Sequence, residues 1–166
     1  MRRSIMITLI ALLALALAAP TVLARNANGV APSDASPPPF TVNPGDYPGS
    51  CDFPLQVEYS GKAKTIDRPG DVFIFTSPGL DVTLTNLDPQ GNGEQATYNI
   101  TGTLEQTTLE NGDVVTVARG RNFLIDPEAG TVIAIGNYSF VFDKNGDLIQ
   151  PLEGEGQLID VCEALA

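Results

Sequence analysis

Apolar and polar residues alternate along most of this chain, with a period of two. In LDVTLTN, Leu80, Val82 and Leu84 fall on one side and Asp81, Thr83 and Thr85 on the other; that is the pattern of a half-buried β-strand. QATYNITGTL repeats it, setting Ala96, Tyr98, Ile100 and Leu104 against Thr97, Asn99, Thr101 and Thr103, and YSFVFD places Tyr138, Phe140 and Phe142 together. Further strands are predicted in FPLQVEYS, KAKTIDR, DVFIFT, DVVTVAR, RNFLID, TVIAIG and GQLIDVC. Helical periodicity is missing, and only the terminal CEALA suits a helical turn. The largely buried set is expected to include Val82, Leu84, Tyr98, Ile100, Val115, Val117, Ile133, Ile135, Phe140 and Phe142. Short strands recurring roughly every ten residues, punctuated by Gly, Asn-Gly and Pro-Gly, indicate an all-β antiparallel barrel or sandwich.

The N-terminal pattern differs. Arg2 and Arg3 precede the apolar run Ile5 to Ala19, and VLA (22–24) fits a small-residue cleavage site. Such a segment is a signal peptide, 1–24, for the general secretory route. Residues 25–50 are proline-rich with few large apolar side chains and read as a flexible tether. One β domain is expected over 51–166.

In an exported chain, a lone pair of cysteines, Cys51 and Cys162, reads as a disulfide rather than a metal site. Closing so long a loop contributes on the order of 4.7 kcal/mol in the chain-entropy treatment. A bridge also brings the first and last strands together, as closure of a sheet requires, so an antiparallel barrel closed by the terminal disulfide is the expected fold, with a β-sandwich as the alternative.

Charge narrows the partners. Without Arg2 and Arg3 the mature chain has seven Lys and Arg against twenty Asp and Glu. Such a surface repels nucleic acid and anionic lipid, and no integral membrane span is expected after signal cleavage. The chain has no histidine, which removes Ser-His-Asp and Cys-His chemistry and histidine-bound zinc. A bridged pair of cysteines leaves no thiolate nucleophile. An enzyme is therefore disfavoured, and no cofactor is expected.

Two stretches carry candidate chemistry. In VFDKNGDLIQ, Asp143, Asn145 and Asp147 occupy the first, third and fifth positions of a calcium loop, but the sixth and twelfth positions hold Leu148 and Gly154 instead of Gly and Glu. Asn145-Gly146 between two apolar runs reads instead as a type I′ hairpin turn, with calcium as the secondary reading; Asn111-Gly112 repeats the signal. In VARGRNF, counting by twos from Val115 and Val117 places Arg119 and Arg121 on the face of Phe123 and Ile125. An inward arginine needs a carboxylate from the protein or a ligand. A bulge at Gly120 would reset the register and leave both arginines at the surface. The sequons at Asn99 and Asn137 are expected to be unmodified.

The chain resembles an uncharacterised family of small exported bacterial β proteins that share a first Cys with a nearby Phe, a GRN turn and a terminal DVCxALA. Here these are Cys51 and Phe53, Gly120 to Asn122, and Asp160 to Ala166. The resemblance implies export, the disulfide and a β fold, and brings no activity with it. A looser likeness, in size and strand pattern, is to the barrels of allene oxide cyclases and dirigent proteins, which hold reactive intermediates in a mostly apolar cavity. The expected function is thus a secreted, non-catalytic extracellular binding or structural domain. The alternative is a barrel that binds or isomerises a small apolar or carboxylated molecule, with Arg119 and Arg121 at its polar end.

Overall fold

The computed structural model describes residues 38–166, so the segment read as a signal peptide and the first part of the segment read as a tether lie outside the described residues. Among these residues ten strands form two antiparallel sheets. The smaller has the order β1 (Phe40–Val42), β2 (Leu55–Gly61), β5 (Leu80–Asn86), β6 (Gln95–Asn99). The larger runs β10 (Leu148–Asp160), β9 (Gly130–Phe142), β8 (Val114–Asp126), β7 (Gly102–Thr108), β4 (Val72–Thr76), β3 (Lys64–Arg68). Neither order closes into a ring. One short helix, α1 (Val161–Ala164), follows β10.

The proline-rich segment read as a tether contributes β1. Phe40–Val42 pairs with Val57–Leu55, and Val42 is only 2% exposed. Gly49 is held as well, its carbonyl accepting from the Thr131 hydroxyl at 2.9 Å. Three residues suffice for a strand here because β2 supplies a template and Val42 an apolar anchor.

The main core lies between the sheets. Leu55, Val57, Leu80, Val82 and Leu84 of the smaller sheet pack with Ile133 of the larger and with Val161 and Leu165 at the C-terminal end. Strand β5 shows the alternation read from LDVTLTN, its four even positions buried and the rest partly buried. Each fully buried Leu or Val contributes roughly 1.5–3 kcal/mol of transfer free energy.

A second core contains Leu104, Ala118, Leu124, Val132, Ala134 and Tyr138, flanked by Phe75, Phe140 and Leu152. All of these belong to the larger sheet, so that sheet must curl around one of its own faces to bury them. Glycines mark the line of curling: Gly102, Gly120, Gly136 and Gly156 are register partners across β7, β8, β9 and β10. A Cβ on Gly136 would run into the Glu155 carbonyl oxygen and lie 2.8 Å from the Gly156 Cα. Strand glycines permit this approach of backbones.

Curling corrects the burial expected for part of the core set. Thr116 and Ala118 are buried, whereas Val115 and Val117, on the opposite face, are only half-buried. Ala118 shares its face with its cross-strand partners Leu104 and Tyr138 of the second core, and Thr116 with Phe140. Tyr98, Ile135, Phe140 and Phe142 are likewise half-buried, and Val82, Leu84, Ile100 and Ile133 are fully buried.

The Cys51–Cys162 disulfide is formed, with a Cα–Cα distance of 5.3 Å. Cys51 precedes β2 and Cys162 lies in α1, so the bridge fastens one sheet to the other. A disulfide fits an oxidising compartment. Among the described residues no helix is long and apolar enough to cross a membrane.

Candidate functional site

A gap opens beside β6, the last strand of the smaller sheet. A cleft of about 170 Å³ lies there, walled by Thr97, Tyr98 and Asn99 of β6. Ile133, Ile135 and Ile159 form its apolar floor, and Arg121 supplies the only charged side chain of the lining. The floor follows from register: Ile133 is the cross-strand partner of Ile159 and of Phe123, and Ile135 is the partner of Arg121. Odd positions of β8 and β9 thus face the cleft, as counting by twos places them.

Both arginines singled out in VARGRNF are exposed, and they do not act together. Arg119 Nη1 stands 3.7 Å from Glu105 Oε2 on β7, with the Arg119 side chain 52% exposed. That exposed pair contributes little to stability. Arg121 has no such partner: among the described residues no carboxylate lies within ion-pair distance of its guanidinium, and only its backbone N–H is engaged, with the Thr101 carbonyl. No bulge brings them to the surface, because the ladder runs unbroken through Gly120. Gly120 between them has a left-handed φ of 82°. GRN, read as a turn, lies inside β8, and the buried Asn122 side chain donates to the Arg119 carbonyl at 3.1 Å.

Asp143, Asn145 and Asp147 lie in the turn between β9 and β10. One Asp143 carboxylate oxygen accepts from the backbone N–H groups of Asn145 and Asp147, each at 2.8 Å, and the other accepts from the Asn145 side chain at 2.8 Å. These bonds, the Asp147 N–H foremost and then the Asn145 amide, hold the Asp143 carboxyl below the usual carboxylate range. The turn differs from the expected type I′, which needs positive φ at two successive residues. Only Gly146 has it, at 86°, and its N–H bonds to the Asp143 carbonyl. This is a type I turn followed by a left-handed glycine. The Leu109–Asp113 turn has the same form, with Gly112 at 89°. Among the described residues no three acidic or cysteine side chains are grouped to hold a metal ion.

Asn99 and Asn137 are both exposed. The Asn99 side chain donates to Asp81 Oδ1 at 3.0 Å, on the polar face of the smaller sheet. Sequence reasoning had no means of assigning the isoleucine floor, since Ile135 and Ile159 read as ordinary core until β6 is known to leave them half-buried beside the fully buried Ile133. No family model, curated protein or solved structure matches this chain.

Proposed function

We propose that this protein is an exported, non-catalytic extracellular binding domain whose site is the cleft beside β6, and that its ligand presents a carboxylate to Arg121 and an apolar group to the isoleucine floor. The observation that carries this reading is the Arg121 guanidinium, cross-strand from Ile135 and without a carboxylate partner among the described residues, in a chain that has an excess of acids. Arginine and carboxylate form charge-assisted, often bidentate hydrogen bonds, and an apolar surface alongside strengthens them by excluding water. Export rests on the signal-like N-terminus together with the disulfide. We further infer an open two-sheet sandwich rather than a closed barrel, supported by strand orders with free ends.

Titration of the isotope-labelled mature domain with octanoate, followed by NMR, tests the site. Saturable shifts at Tyr98, Arg121, Ile135 and Ile159, with a dissociation constant on the order of 1 mM, are expected and should vanish in Arg121→Ala. Shifts that never saturate, or that survive Arg121→Ala, would remove the cleft from consideration.

A further inference from the structure

The backbone of β6 adds a feature that a small molecule does not need. Ile100 N–H bonds to the Leu80 carbonyl and Asn86 N–H to the Glu94 carbonyl, so the even positions of β6 face β5. Antiparallel alternation then turns the N–H and C=O groups of Gln95, Thr97 and Asn99 away from the sheet, and β6 is its last strand. Two of these three residues, Thr97 and Asn99, wall the cleft.

The other sheet edges are guarded. Edge strand β3 carries Lys64, Asp67 and Arg68; β10 has Pro151, Glu153, Glu155 and two register breaks; β1 is three residues long. Charges, proline, bulges and shortness are the usual means of preventing strand addition. Strand β6, with the sequence QATYN, has none of the charges, prolines or register breaks. A free edge, an apolar floor beside it and a neighbouring cation without a carboxylate partner among the described residues together match a particular ligand.

We propose that β6 accepts an extended peptide as an added antiparallel strand, with its C-terminal carboxylate on Arg121 and an apolar side chain on the half-buried Ile135 and Ile159. This rests on the cleft reading above and names its ligand class. Backbone pairing at Thr97 and Asn99 supplies affinity, and side chains of the added strand in line with Tyr98 meet the floor and supply selectivity. A single carboxylate suits one arginine, while the acidic surface of the domain disfavours a polyanionic partner.

The test is fluorescence anisotropy with an N-terminally labelled Gly-Thr-Val-Thr-Val peptide bearing a free carboxylate, alongside its C-terminal amide. The free acid should bind saturably, and amidation, Arg121→Ala and Thr97→Pro should each weaken it by about tenfold or more. Hydrogen exchange at the Thr97 and Asn99 amides should slow in the complex. Equal binding of acid and amide, or unchanged exchange at those amides, overturns the proposal. Arg121→Ala alters an exposed side chain and amidation alters only the peptide, so the outcome does not depend on Thr97→Pro folding. Octanoate binding without peptide binding would sink strand addition and leave the cleft reading intact; failure of both probes would sink both.

Discussion

The side-chain amide of Asn86, at the end of β5, donates to the carbonyl of Leu165 at 2.8 Å across 79 positions of sequence. Both residues are buried, and the Asn86 carbonyl oxygen also accepts from the Asp88 N–H at 2.8 Å. This amide fastens the C-terminal turn over the main core. Asn86→Ala strands the Leu165 carbonyl away from water, and a loss of about 1–3 kcal/mol is expected in urea unfolding. A change within a few tenths would show the turn to be held by packing alone.

Replacing Cys51 and Cys162 by serine together should cost about 2–5 kcal/mol, read as a lower urea midpoint. Because the bridge joins the two sheets, hydrogen exchange should quicken first in β1 and α1, which adjoin it in the chain.

Glycine at position 136 is required by space as well as by backbone angle. Its φ is 148°, and a Cβ would meet the backbone of β10. Gly70 also has positive φ, at 85°, but a Cβ there meets nothing within 4 Å. Gly136→Ala should therefore cost about 3 kcal/mol or more, and Gly70→Ala about 1 kcal/mol. Equal losses would show that steric contact across the glycine line is unimportant.

Asp143 sets a pH dependence of known sign. Its folded-state pKa is lowered, chiefly by the Asp147 N–H and then by the Asn145 side chain. The resulting support for the turn is complete above the unfolded carboxylate pKa of about 3.9 and is lost as pH falls through the lower folded value. Exchange at the Asn145 and Asp147 amides, corrected for intrinsic rates, should show steady protection down to about pH 4 and a decline below it. Asp143→Asn should abolish that decline.

Millimolar calcium should leave the melting temperature unchanged, because both Asp143 oxygens already accept hydrogen bonds within the turn. A rise of several degrees would reinstate the calcium reading of Asp143, Asn145 and Asp147.

The strands were legible wherever one face is apolar and the partner sheet flat, as in Leu80–Asn86. At Val114–Ala118 the alternation was equally visible, but it pointed to the wrong face. Hydrophobicity ranks valine above threonine and alanine, but which face of β8 is covered depends on cross-strand partners such as Leu104 and Tyr138 that meet Ala118 only in the folded chain. Strand β1 was hidden for a related reason: Phe40–Val42 has no periodicity long enough to register, and its stability comes from β2. Of the site, Arg121 was recognisable as unusual in sequence. The uncovered floor beneath it was not, since it depends on where β6 ends.

The position of the disulfide also fixes how the domain would carry a mechanical load. Tension between a point before Cys51 and one after Cys162 travels through the sulfur–sulfur bond and bypasses the 111 residues of separation between them. Only the segment before Cys51, which includes edge strand β1, and the few residues after Cys162 lie on the force path, so the larger sheet and strands β2, β5 and β6 would stay folded in a stretched chain.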